Sequence, residues 1–211
     1  MPRRKLESRD PPGSNPGRPL RGQRPGELYH GGDLAAAALR FPGAPQPWLD
    51  LSTGINSVAY PVGRLPAKTW TKLPDRSSIR ALEAAAAAAY GARDAGTVVA
   101  SHGEQALIQL LPRLLPAGHV GILGFTYGEH EACWHEAGAA VETVEAVAAL
   151  DAFDVAVIVN PNNPDGRVVR VDELAALAAR LAGRGGVLIV DEAFMDCLLY
   201  TSDAADDLTR V

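Results

Sequence analysis

Lysine and cysteine are scarce in this chain of 211 residues. Its lysines are Lys5, Lys68 and Lys72, and none of them follows a glycine. The phosphate loop of P-loop ATPases needs a Gly-Lys-Ser or Gly-Lys-Thr step, so the sequence argues against that class. The two cysteines, Cys133 and Cys197, have neither metal-ligand nor redox spacing, which favours a reduced, cytoplasmic setting.

Long apolar runs are missing as well. No uncharged stretch could span a bilayer, and no apolar segment follows the basic residues at the start, so we expect neither a membrane partner nor a secretory signal. Residues 1–27 hold seven Arg or Lys against three Asp or Glu, and they are dense in Pro and Gly. This basic head is predicted to be disordered. The net charge is −5, so the remaining body is acidic, which argues against a nucleic-acid groove.

Short apolar segments alternate with segments of helical periodicity. The predicted strands cover residues 97–100, 120–123, 140–144, 155–159 and 187–190. The predicted helices cover residues 33–40, 77–90, 104–115, 128–137 and 171–181, and Ser77 or Ser78 is expected to cap the second of them. Strands that are apolar throughout are buried on both faces. The pattern therefore predicts an α/β fold, a three-layer sandwich with a mostly parallel sheet.

Ligands of such sheets bind beyond the carboxyl ends of the strands. Ser101-His102-Gly103-Glu104-Gln105 follows one predicted strand and opens a helix. Its backbone N–H groups could hold a phosphate at the positive end of the helix dipole, and only the N–H of Glu104 needs to face it. The alternative is an ordinary turn that contains a glycine.

Three more polar groups follow predicted strands. In the loop 160–166 two Asn-Pro steps force an extended turn, from which Asn163 can present its amide to a hydroxyl or phenolate. The carboxylate of Asp191 ends an apolar strand and needs a cationic partner, for which a pyridinium nitrogen is suited. Tyr127 lies at the same edge and can stack on an aromatic cofactor, or be a packed rim residue.

The histidines form no spacing typical of metal ligands. They are His30, His102, His119, His130 and His135. His130 and His135 are five residues apart on one predicted helix and do not share a face. We interpret each histidine as a surface or core residue, and no metal site is predicted.

Taken together, these motifs resemble the fold-type I pyridoxal-phosphate enzymes of the class I/II aminotransferase kind, and within them the threonine-phosphate decarboxylases. The resemblance runs from about residue 28 to residue 196. The segments that carry it are His30–Asp33, Leu49–Asn56, Gln105–Arg113, Tyr127–His130, Asn160–Gly166 and Val190–Asp196.

The resemblance implies pyridoxal 5′-phosphate as the cofactor. Tyr127 would stack on its ring, Asn163 would hydrogen-bond O3′, and Asp191 would pair with the protonated ring nitrogen. The cofactor phosphate would be held by backbone groups at Gly103, Glu104 and Gln105. Gly54, Asn56 and His30 would lie near the substrate.

Two features depart from the family pattern. Phe194 stands where many aminotransferases have a tyrosine that contacts O3′. Leu73-Pro74 stands where the histidinol-phosphate relatives tend to carry Tyr-Pro.

The resemblance also implies an activity, the decarboxylation of L-threonine O-3-phosphate in cobalamin biosynthesis, by a homodimer acting on a small phosphorylated amino acid. An aminotransferase of the histidinol-phosphate type is the alternative. In the family, the lysine that binds the cofactor covalently lies beyond the Asp-Glu-Ala motif, and this chain ends before that position. We therefore name no catalytic residue and expect an amino-terminal fragment that is inactive alone. A non-catalytic fragment is the third interpretation.

The sequence is accordingly divided into four parts. Residues 1–27 form the basic head, and residues 28–74 an amino-terminal arm with part of a small domain. Residues 75–196 form part of the large, cofactor-binding domain. Residues 197–211 show no family character and look like translated adapter sequence.

Overall fold

The structure, a computed structural model, describes residues 31–55 and 58–196. The chain divides into two compact units, with the boundary between Ala59 and Tyr60. In the first unit, helix α1 covers Leu34–Arg40. The Asp33 carboxylate accepts a hydrogen bond from the backbone N–H of Ala36 at 2.8 Å, which confirms the predicted start of this helix.

The second unit contains a four-stranded sheet whose strands are all parallel. The strands are β1 (His119–Leu123), β2 (Ala140–Val144), β3 (Val155–Val159) and β4 (Val187–Asp191). They lie in the order β2-β1-β3-β4. The predicted α/β fold with a parallel sheet is confirmed.

Helices of this unit precede the sheet or connect its strands. They are α2 (Lys68–Thr71), α3 (Arg76–Tyr90), α4 (Glu104–Leu114), α5 (Gly128–Glu136) and α6 (Val171–Ala182), with 3-10 turns at Ala95–Thr97 and Val147–Ala152. Helix α5 connects β1 to β2, and α6 connects β3 to β4. The chain therefore leaves β1 toward one edge of the sheet and returns to build the other edge from β3.

Each face of the sheet has its own apolar core. Along β3 all five side chains are buried, and the first four alternate between the two cores as the two-residue period of a strand requires. Ala156 and Ile158 pack with Leu177 and Leu181 of α6. Val155 and Val157 belong to the opposite core, which contains Trp134 of α5. Burial on both faces explains why β3 is apolar throughout.

Two local predictions are wrong. Residues 97–100 do not form a strand, because the Asp94 carboxylate caps a 3-10 turn through the N–H of Gly96 and no strand of the described part pairs with them. The cap of α3 is Asp75 rather than Ser77 or Ser78. Its carboxylate accepts from the backbone N–H of Ser78 at 2.8 Å, and a carboxylate is well suited to the positive end of a helix.

Candidate functional site

A cavity of about 260 Å³ lies at the carboxyl ends of β3 and β4. Its lining residues come from the ends of these strands, the loops after them, and the starts of α4 and α5: Glu104, Gln105, Tyr127, Val159, Asn163, Asp191, Ala193 and Phe194. The strand order reverses between β1 and β3, and such a reversal opens a crevice for ligands in parallel sheets. The topology and the cavity therefore indicate the same place.

Helix α4 presents its positive end on this side of the unit. Gly103 is its N-cap and has φ of +114°, a conformation that residues with a side chain rarely adopt. No other group lies within 4 Å of the position that a Cβ would take, so the backbone angle and not crowding requires glycine. The first N–H groups of a helix have no partner within it, so this end can bind an anion.

Asp191, the last residue of β4, is nearly buried and paired with His130 of α5. His130 Nε2 lies 2.8 Å from Asp191 Oδ2, and the two side chains are 2% and 6% exposed. The backbone N–H of Ala193 donates to the other carboxylate oxygen at 3.0 Å. Burial raises the pKa of Asp191, but the hydrogen bonds from His130, Glu104 and Ala193 outweigh it and bring the pKa below its usual value. The carboxylate is therefore held ionised at the cavity wall.

The Glu104 side chain also faces this carboxylate. Burial, followed by the hydrogen bond with Asp191 and the charge of Asp191, raises the pKa of Glu104 to about 7. Of two neighbouring carboxyl groups, Asp191 is thus the ionised one and Glu104 holds the shared proton. Sequence reasoning assigned Glu104 through its backbone alone and did not foresee this contact.

Tyr127 lies at the start of α5 with its hydroxyl bound to α4. Tyr127 Oη donates to Gln105 Oε1 at 3.1 Å, and Gln105 Nε2 donates to Glu129 Oε2 at 2.8 Å. The ring meets the His130 ring edge-on, with centroids 6.4 Å apart. Burial, and then the charge of Glu129, raises the pKa of the Tyr127 phenol, which keeps its proton available for donation.

Two asparagine side chains near the start of the loop after β3 hold it in place. Asn160 is buried, accepts from the N–H of Val169 at 2.8 Å and donates to its carbonyl at 3.1 Å. Asn162 donates to the carbonyl of Phe125 at 3.0 Å, which ties this loop to the one after β1. Asn163 directly follows Asn162 and is exposed on the cavity wall.

The structure brings most of the predicted cofactor residues together. Those on the cavity wall are Glu104, Gln105, Tyr127, Asn163 and Asp191. Gly103 directly precedes Glu104 as the N-cap of α4. Gly54 is exposed and belongs to the first unit, while Asn56 and His30 lie outside the described residues. The roles of all these residues stay predictions.

His130 is the member that sequence reasoning missed. It was interpreted as a surface or core histidine, and it is indeed buried, but its partner was not recognised. Its position three residues after Tyr127 places it on the same side of α5, and this was the available signal. In the part of the chain that the structure describes, no cluster of three His, Cys, Asp or Glu could hold a metal ion, and no helix could cross a membrane.

Comparison with known families shows to which family the chain belongs. Residues 52–210 match the family described as aminotransferase class I and II. The chain belongs to this family. The match extends into residues 197–210, which sequence analysis had set apart, while the predicted division of the chain stays a prediction.

The similar proteins of this aminotransferase family include two threonine-phosphate decarboxylases. The one from Sinorhizobium sp is 46% identical over 172 residues, covering 80% of this chain and 51% of the relative. The one from Pseudomonas aeruginosa is 46% identical over 181 residues, covering 84% of this chain and 53% of the relative. The chain thus spans about half the length of these curated relatives.

A solved structure supports the fold. The histidinol-phosphate aminotransferase from Sinorhizobium meliloti, in complex with pyridoxal-5′-phosphate, superposes with a TM-score of 0.55 at 22% identity. The superposition covers 62% of this chain and 38% of that chain. At this identity the likeness concerns the fold alone.

Pyridoxal 5′-phosphate is the cofactor expected for this family, and the residues present fit it. Asp191 offers an ionised carboxylate to a ring nitrogen, and Asn163 offers an amide to a phenolate oxygen. The first N–H groups of α4, which have no partner within the helix, suit a phosphate. These groups line one cavity or border it, as the binding of a single small ring with a phosphate requires.

Proposed function

We propose that this chain carries the cofactor-binding part of a pyridoxal-phosphate-dependent enzyme. The reaction proposed is the decarboxylation of L-threonine O-3-phosphate to (R)-1-aminopropan-2-ol phosphate in cobalamin biosynthesis. The observation that carries the proposal is the Asp191 carboxylate, held ionised by His130 at the end of a parallel strand and facing the cavity. The two decarboxylase relatives at 46% identity support the substrate.

The residues of the chain divide the work of binding. Asp191 pairs with the ring nitrogen and keeps it protonated, while His130 and the Ala193 N–H hold the carboxylate in place. When bound, the cofactor supplies an electron sink for the pair left on Cα as CO2 departs. Asn163 donates to O3′ and Tyr127 covers the ring. The backbone N–H groups at the start of α4 bind the phosphate.

The binding test uses pyridoxamine 5′-phosphate, which has the ring and phosphate of the cofactor but no aldehyde to react with surface lysines. Equilibrium dialysis of the chain should give saturable binding. Asp191→Asn should weaken it about tenfold or more, because a charge-assisted hydrogen bond is replaced by a neutral one. Asp172→Asn, in an exposed pair with Arg170, is the matched control and should change nothing. Equal affinity of Asp191→Asn and the native chain would reject the proposal.

The substrate and the homodimer are tested on the full-length protein encoded by the source gene. With L-threonine O-3-phosphate we expect release of CO2, and sedimentation should show a dimer. Transfer of the amino group of histidinol phosphate to 2-oxoglutarate, without CO2 release, would favour the aminotransferase instead.

A further inference from the structure

We propose that the side chain of Gln105 is a positioning residue that fixes the Tyr127 ring on the cavity wall. This inference rests on the proposed function and deepens it. Sequence analysis gave Gln105 a role through its backbone only, whereas its side chain makes two hydrogen bonds of its own. We infer that affinity for a planar pyridine ring depends on the Gln105 side chain through Tyr127.

The two hydrogen bonds fix the orientation of the Gln105 amide. A carboxylate only accepts, so the amide nitrogen must face Glu129 Oε2, at 2.8 Å. The amide oxygen then faces the Tyr127 hydroxyl, which donates to it at 3.1 Å. Glu129 therefore determines that Gln105 offers Tyr127 an acceptor. A reversed amide would place two acceptors face to face at Glu129 and would offer Tyr127 a donor instead of an acceptor.

The position of Tyr127 explains why its ring needs this support. Tyr127 is the N-cap of α5 and ends the loop after β1, where no preceding helical turn restrains its side chain. The His130 ring contacts it edge-on, and Gln105 holds the hydroxyl at its far end. Because Gln105 lies in the first turn of α4, the bond joins two helix starts that border the cavity.

A double-mutant cycle with Gln105→Met and Tyr127→Phe tests the coupling. Methionine keeps the length of glutamine and removes both hydrogen bonds, and phenylalanine keeps the ring and removes the hydroxyl. We expect Gln105→Met to weaken pyridoxamine 5′-phosphate about three- to tenfold in the native chain, the range of one hydrogen bond. In the Tyr127→Phe background it should have less than a twofold effect.

Gln109→Met is the matched control, since Gln109 lies one turn further along α4 and is exposed. A second readout needs no ligand. In protein labelled with ¹³Cζ-tyrosine, the NMR signal that Tyr127→Phe removes should shift in Gln105→Met and stay unchanged in Gln109→Met. This signal reports the phenol hydrogen bond directly, which a general loss of stability would not move in one residue alone.

The outcomes separate this inference from the proposed function. A native chain that does not bind pyridoxamine 5′-phosphate rejects the proposed function, and the positioning role with it. Native binding with unchanged affinity in Gln105→Met rejects the Gln105 inference alone. Equal weakening in both Tyr127 backgrounds also rejects it, because Gln105 would then act without the hydroxyl. An unshifted Tyr127 signal in Gln105→Met has the same meaning.

Discussion

At the scale of single residues, the site depends on two carboxyl groups with opposite pKa shifts. Hydrogen-bond donors lower the pKa of Asp191 in spite of its burial. Burial and the neighbouring Asp191 raise the pKa of Glu104 to about 7. One group is therefore ionised through the physiological range, while the other changes its charge within it. The charge of the cavity consequently depends on pH through Glu104.

This dependence predicts how ligand affinity changes with pH. Above pH 7 an ionised Glu104 adds a negative charge to the cavity that receives the anionic ligand, and Glu104→Gln cannot develop that charge. From pH 6 to pH 8 we expect the affinity of Glu104→Gln for pyridoxamine 5′-phosphate to gain about three- to tenfold relative to the native chain. Equilibrium dialysis at both pH values measures the ratio, and a constant ratio would contradict the prediction.

His130 is the second residue with a sharp expectation. Replacing it by phenylalanine leaves the buried Asp191 carboxylate without its side-chain donor from α5. We expect the free energy of unfolding to fall by about 2–4 kcal/mol, measured by urea denaturation at pH 7.5. His135→Phe on the same helix is the control, because His135 is 53% exposed and should change stability by less than about 0.5 kcal/mol. Similar losses in both variants would contradict the assignment.

At the scale of elements, two asparagines of the loop after β3 have different roles, Asn160 in folding and Asn163 in binding. Asn160→Ala removes both hydrogen bonds to the Val169 backbone and leaves its buried groups unsatisfied, so the free energy of unfolding should fall by about 2–4 kcal/mol. Asn163→Ala alters an exposed side chain and should keep stability within about 0.5 kcal/mol while weakening pyridoxamine 5′-phosphate. Thermal melts with dialysis measure both, and a stable Asn160→Ala would refute the loop assignment.

The same elements show what sequence could predict. Strand β3 is apolar at every position, so its burial followed from composition, and Asn163 and Asp191 followed from their places after strands. The contact of His130 with Asp191 could not be predicted, since it depends on how α5 packs on the sheet. The apolar run at 97–100 misled because a strand needs a neighbour, which periodicity does not reveal.

At the scale of the whole molecule, the two carboxyl groups give stability a pH dependence with two opposite signs. A raised pKa means that the folded chain binds the Glu104 proton more tightly than the unfolded chain does. The contribution of Glu104 to the free energy of unfolding is therefore complete below its ordinary pKa of 4.5 and is lost as pH rises through 7. The lowered pKa of Asp191 has the opposite effect: its contribution to the free energy of unfolding is present above the ordinary pKa of 3.8 and is lost as pH falls.

We therefore expect the free energy of unfolding of the native chain to decline from pH 5 to pH 8 more steeply than that of Glu104→Gln. Urea denaturation at intervals across this range, in constant ionic strength, gives both slopes. Parallel curves would show that Glu104 has its ordinary pKa in the folded chain.

The order of the strands in the sheet also limits when the cavity can form during folding. Val120 of β1 pairs with Val155 of β3, and Val155 pairs with Val187 of β4, so no strand can pair with the next before a long loop has closed. Strand β4 has only β3 to join within the described sheet, and it brings Asp191 with it. The cavity is therefore incomplete until β4 has paired with β3. The sheet must therefore form before a ligand can bind in the cavity and stabilise it. A ligand bound there should slow unfolding and leave the rate of refolding unchanged.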